Sequence, residues 1–144
     1  MNRPLPTLAG GAGAWTESPA GPEGAGEAGE IVRNVTRGVV LAGRAEIARG
    51  FFARGRGLLG RVALPEGEAL VIAPCGSIHT LGMRFAIDVL FVDGRHSPAR
   101  CLAVARALPP GRVGPMVRGA RGVIELPAGG AGPSEVGDAI EWGT

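Results

Sequence analysis

Ile87-Asp88-Val89-Leu90-Phe91-Val92-Asp93-Gly94 is the stretch on which the fold turns. From Ile87 to Val92 the chain is apolar on both alternations, broken only by Asp88. A strand with that pattern is covered on both faces. Asp93-Gly94 follows at once and marks a hairpin connection. Arg100–Leu108 is then the return strand. Asp88 is the single charge in a run that buries both faces. A buried carboxylate without a partner is costly, so Asp88 must be answered by something.

Working outward, the same signature recurs in short pieces. Glu68–Ala73 is an apolar run stopped by Pro74, and Leu64-Pro65-Glu66-Gly67 before it has turn composition. Ser77–Leu81, Gly122–Leu126 and Asp138–Trp142 are further strand candidates, as is the β-branched run Val35–Leu41. Pro109, Pro110, Gly111, Gly114 and Pro115 read as an irregular loop. Short strands with turns every 8–12 residues or so predict a small barrel or sandwich. The 144 residues include 26 Gly and 12 Pro, which argues against a helical bundle. One short helix is expected near 49–59, where Ile47, Phe51, Phe52, Leu58 and Leu59 recur at roughly helical spacing. Gly60 fits its C-terminal cap. The fold class is therefore mainly β, a small barrel-like or sandwich domain with one short helix.

Residues 1–30 are dominated by Gly, Ala, Pro and Glu. Such a segment buries too little apolar area to offset its ordering entropy, so a disordered tail is expected ahead of a single domain over 31–144. No stretch approaches 18 consecutive apolar residues, and the N-terminus lacks the apolar core of a secretory signal. The expectations are no membrane span and a cytoplasmic location. The formal charge is +2, and all 15 basic residues are Arg. That balance admits an anionic partner. Without a basic stripe interleaved with aromatics it argues against nucleic acid. Cys75 and Cys101 have no paired spacing and read as thiols rather than a disulfide. Two Cys and two His give no metal-ligand spacing, and nothing indicates a cofactor.

Chemistry concentrates in two places. In Pro74-Cys75-Gly76-Ser77-Ile78-His79-Thr80, an extended backbone puts Cys75, Ser77 and His79 on one face. It also separates Cys75 from His79 by about 13 Å, which disfavours a thiol–imidazole nucleophile unless Gly76 bends the chain. Arg84 and Asp88 lie four apart, and Arg84 and His79 are the nearest partners in sequence for the buried acid. Glu125, between Ile124 and Leu126, is a second acid within an apolar strand. Three readings follow. The favoured one is a binding or accessory module with a polar site from His79, Thr80, Arg84 and Asp88, with Glu125 a further candidate, for a small anionic ligand or a protein partner. The second is a hydrolase-type enzyme using Cys75, or paired carboxylates Asp88 and Glu125, with His79. The third is a structural or interaction domain in which these groups only hold loops.

Several motifs in order resemble a known family. They are Arg56-Gly57-Leu58-Leu59-Gly60-Arg61, Leu64-Pro65-x-Gly67-x-Ala69-Leu70, Met83-Arg84-Phe85-x-Ile87-Asp88-Val89-Leu90-Phe91-Val92-Asp93, Val123-Ile124-Glu125-Leu126-Pro127-Ala128-Gly129 and Val136-Gly137-Asp138. Over about residues 35–142 the chain resembles the bacterial and archaeal family named for domain of unknown function 192, also called uncharacterised ACR. The resemblance implies a compact β-rich barrel with a short helix and no established activity. This chain departs from the commoner pattern at Ile78-His79-Thr80, where many members have Phe-Trp-Met, and at Ala86, where many have Pro.

Overall fold

The computed structural model describes residues 29–48, 58 and 60–143. Nine strands run in the order β1 (Glu30–Asn34), β2 (Val39–Ala48), β3 (Glu68–Ile72), β4 (Ser77–His79), β5 (Ile87–Val92), β6 (Ala99–Leu108), β7 (Val113–Met116), β8 (Gly122–Pro127) and β9 (Ala139–Gly143). Seven of them close a barrel in the spatial order β1-β2-β3-β8-β5-β6-β9, and β4 pairs with β7 as a separate two-stranded ribbon. The β2–β3 pair is parallel, whereas β5 is antiparallel to both β6 and β8. All six residues of β5 are buried. A central strand flanked on both edges and covered on both faces is what its uninterrupted apolar composition requires.

Alternation along the strands sorts the buried side chains into two cores. Val32, Ala45, Val71, Leu90, Cys101, Ile124 and Ile140, one from each barrel strand, belong to the cluster that fills the barrel. Leu70, Ile72, Ile87, Val89, Phe91 and Val123 point the other way. They form a second cluster with Leu58, Leu64 and Met83, joined at its edge by Cys75, Ile78 and Val117 of the ribbon segments. The ribbon segments, with Leu58 and Leu64, thus roof the outside of β3, β8 and β5. The barrel interior takes small Ala and Val side chains beside Leu90, Ile124, Leu126, Ile140 and Trp142, while Phe91 packs outside it.

Most strands fall where the sequence places them. Two expectations change. Val35–Leu41 is not one strand: Val35–Gly38 is the turn between β1 and β2, and only Val39 onward is extended. Gly38 adopts φ 68°, which only glycine takes up without strain, and this breaks the β-branched run. The end of the 109–115 loop is part of β7, which carries Gly114 and Pro115. A Cβ at Gly114 would lie 2.7 Å from the Ile78 carbonyl oxygen, so the close approach of the ribbon strands requires glycine there. The described residues contain no helix. The helix expected near 49–59 and the tail expected over 1–30 lie largely outside the described residues. Gly60 does take the left-handed conformation expected of it, at φ 86°.

Candidate functional site

The five residues singled out by sequence separate into three places. His79 and Thr80 sit at the end of β4, and Arg84 lies in the following loop. Thr80 is fully buried and works as a loop organiser. Its hydroxyl donates to the Pro109 carbonyl at 2.6 Å and accepts the Arg112 N–H at 2.9 Å. Its backbone oxygen accepts from Met83 and Gly111. His79 is exposed, and its Nδ1 accepts the Leu81 N–H at 3.2 Å. Arg84 is exposed, and among the described residues its guanidinium has no ion-pair partner.

Asp88 is answered by neither Arg84 nor His79. It alternates with Leu90 and Val92 and therefore points into the barrel. Its Oδ1 accepts the Ala107 N–H at 2.8 Å and its Oδ2 the Ala131 N–H at 2.9 Å. The expectation of a partner holds, but the partners are backbone amides 19 and 43 residues away. Such partners leave no mark in local sequence.

Glu125 pairs across the sheet with Val89 and Leu70 and points outward into the second cluster. Asp88 and Glu125 thus project to opposite faces of one sheet, and the carboxylate pair the sequence suggested does not form. Glu125 is 4% exposed, and its Oε1 has no hydrogen-bond partner among the described residues. Burial pushes its pKa up from 4.5 to about 7, against a smaller opposing pull from Arg61. Arg61 itself pairs with Glu46 at 2.8 Å.

The thiols are not joined in a disulfide. Cys75 Sγ donates to the Ser77 carbonyl at 3.0 Å and packs at the edge of the outer cluster, whereas the His79 ring is in solvent. Cys101 is fully buried in the barrel, and that burial pushes its thiol up to about 11. No group of three potential metal ligands occurs among the described residues.

A polar cluster that sequence reasoning passed over ties the β1–β2 turn to the loop before β9. Asn34 Nδ2 donates to Ser134 Oγ and to Asp138 Oδ2, each at 2.9 Å. Arg37 Nε donates to Asp138 Oδ2 at 2.9 Å, and Arg37 Nη2 donates to Glu135 at 3.1 Å. Hydrogen bonding from Arg37, then from Asn34, lowers Asp138 from 3.8 to about 2. Arg106 clamps the same loop through the Gly132 and Ser134 carbonyls. Asn34 and Asp138 are 104 residues apart, so only the motif Val136-Gly137-Asp138 hinted at a special position.

Two surface features remain. The segments 74–86 and 109–121, which contain the ribbon, carry Arg84, Arg112, Arg118 and Arg121 together with His79, and no Asp or Glu. All five are exposed. Beside them Leu81, Val113 and Met116 are 48%, 78% and 82% exposed. The second feature is an open cleft of about 460 Å³ at the barrel end where β5 runs into β6. The β5–β6 loop residues Arg95, His96 and Ser97 line it, with Glu30 from β1 and Trp142 from β9. The sequence reading used that loop only as a turn.

The fold and its surface define a class: a small closed β-barrel roofed on one side by a basic two-stranded ribbon. Residues 32–142 match the family described as DUF192, uncharacterized ACR. The chain belongs to that family. A UPF0127 protein of Thermococcus sibiricus is 38% identical over 117 residues, covering 76% of this chain and 72% of that protein. Among solved structures, a protein of unknown function from Novosphingobium aromaticivorans superposes with a TM-score of 0.64 at 23% identity. The match covers 78% of this chain and 83% of that one. A putative transcription regulator from Sinorhizobium meliloti gives a TM-score of 0.63 at 18% identity, covering 78% and 91%. These two likenesses establish the barrel fold. No helix among the described residues is long and apolar enough to cross a membrane.

Proposed function

We propose that this protein is a binding module that docks an acidic polypeptide partner on the β4–β7 ribbon, with His79, Arg84 and Arg112 as contact residues. The observation that carries this reading is the segregation of charge. Segments 74–86 and 109–121 hold four exposed arginines and no acid, in a chain whose net charge is only +2. None of the four guanidinium groups has a carboxylate partner among the described residues. Arginine takes carboxylates in a two-pronged geometry that fixes orientation as well as attraction. Leu81, Val113 and Met116 supply the apolar centre that a protein interface needs beside its charges. No aromatic residue is exposed on the ribbon to stack a nucleic acid base, which favours a polypeptide. Thr80 contributes by holding the 80–112 junction, so that the ribbon is presented rigidly; Asp88 and Glu125 act behind it in the two cores.

The test is binding of poly-L-glutamate to the full chain by calorimetry, alongside a single-stranded DNA oligonucleotide. Poly-L-glutamate is expected to bind and to weaken as salt rises from 50 to 300 mM, roughly as Debye screening dictates. The double reversal Arg84→Glu with Arg112→Glu is expected to reduce affinity at least tenfold, with thermal stability unchanged. Unaltered affinity in that variant, or tighter binding of the oligonucleotide, overturns the reading.

A further inference from the structure

Opposite charges line the barrel-end cleft without meeting. Glu30, at the start of β1, and Arg95, in the β5–β6 loop, both line it. Neither side chain has an ion-pair partner among the described residues. Val71 and Trp142, two residues of the barrel core, also line the cleft. Ser97 Oγ accepts the Trp142 N–H at 2.8 Å, which fixes the loop against β9 and leaves the hydroxyl proton to be donated elsewhere. A volume of about 460 Å³ falls in the range of sites for small ligands, and an apolar floor with a few placed polar groups is their usual lining.

We infer that this cleft binds a small zwitterion, a molecule carrying a carboxylate and an ammonium on an apolar body. The carboxylate faces Arg95 and the Ser97 hydroxyl, the ammonium faces Glu30, and the apolar part rests on Trp142 and Val71. A ligand with a single charge would pair with one of the two side chains and leave the other without a partner. The arrangement therefore discriminates against it. Free amino acids and short peptides share this chemistry. The cleft touches the ribbon segment only through Pro74 and uses none of the ribbon's contact residues, so it stands or falls separately from the proposed function.

The test is titration of the full chain with L-leucine, trileucine, 4-methylpentanoate and isoamylamine, followed through the Trp142 indole and Ser97 amide resonances. A zwitterion is expected to bind at least tenfold more tightly than either singly charged probe, and the tighter of leucine and trileucine identifies the source. Arg95→Gln is expected to bring the zwitterion down to the affinity of isoamylamine, and Glu30→Gln to that of 4-methylpentanoate. Both substitutions lie at the cleft rim, and unchanged amide spectra of β5 and β8 confirm folding. Equal affinity for zwitterion and singly charged probes overturns the inference, as does the absence of any shift at Trp142 and Ser97 with all four.

Discussion

Glu125 sits among Leu70, Val89 and the outer cluster, with one carboxylate oxygen unpartnered among the described residues. Its pKa of about 7 has a thermodynamic consequence. The unfolded chain releases this proton near pH 4.5, while the folded chain keeps it up to about 7. Between those values the folded state binds more protons, so stability contributed by this group is present at low pH and is lost as pH rises through that window. The loss is on the order of 3 kcal/mol, because each pKa unit corresponds to about 1.4 kcal/mol. Glu125→Gln keeps the shape and removes the titration. Its melting temperature relative to the natural protein is expected to rise by several degrees between pH 4.5 and 7.5 and then level off. Parallel pH profiles for the two proteins would show that no buried charge is at stake. The sequence marked Glu125 as an acid in an apolar strand. It could not say which face the acid takes, because Val123-Ile124-Glu125-Leu126 is apolar on both alternations.

At the scale of the elements, Asp88 organises more than its own strand. Opposite it, the β5–β6 ladder shifts register between Ile87↔Leu108 and Val89↔Ala105, so β6 carries an extra residue. Ala107 in that bulge has φ 50°, an unfavourable conformation for a residue with a Cβ. The Asp88 carboxylate holds the Ala107 amide with one oxygen and the Ala131 amide with the other, joining the β6 bulge to the loop between β8 and β9. Arg106 reaches the same loop from the bulge. Asp88→Asn replaces one acceptor with an N–H that must face an amide N–H. The expected cost is about 1–3 kcal/mol in urea unfolding, because a buried donor is left without an acceptor. The Ala107 or Ala131 amide should also lose hydrogen-exchange protection ahead of the amides of β5. If both amides keep native protection in the variant, the carboxylate is not what pins the bulge. Local patterning identified β5 and β8 because each is an apolar run broken by a single acid, and β6 as the return strand after Asp93-Gly94. It missed β7 because glycine and proline there serve a tight ribbon crossing, and it split the β1–β2 turn wrongly because Val35 and Thr36 are β-branched residues used outside a strand.

For the whole molecule, closure of the barrel was beyond local sequence. The ring depends on β2 lying parallel to β3 and on β9 returning to both β1 and β6, and the β1–β9 pairing joins residues more than a hundred apart, such as Ile31 and Gly143. The β6–β9 seam is short, with two ladder pairs, Ala99↔Ile140 and Arg100↔Ala139, extended by the Cys101 N–H to the Asp138 carbonyl and the Gly137 N–H to the Cys101 carbonyl. Cys101 therefore sits where the ring closes, fully buried, with its thiol pushed up to about 11 by desolvation. Thiolate is the reactive form, so Cys101 should be inert while the ring is shut. Cys75, half-buried outside the barrel, is the control in the same chain. With a thiol-specific disulfide reagent at pH 8, one equivalent is expected to react quickly at Cys75. The second should react slowly, at a rate that rises with urea in step with global unfolding. If Cys101 labels much faster than the barrel unfolds, the β6–β9 seam opens on its own and closure is a local equilibrium. If the two rates coincide, the seam is part of one cooperative unit, and the Asn34–Arg37–Asp138 cluster beside it helps to close the whole ring.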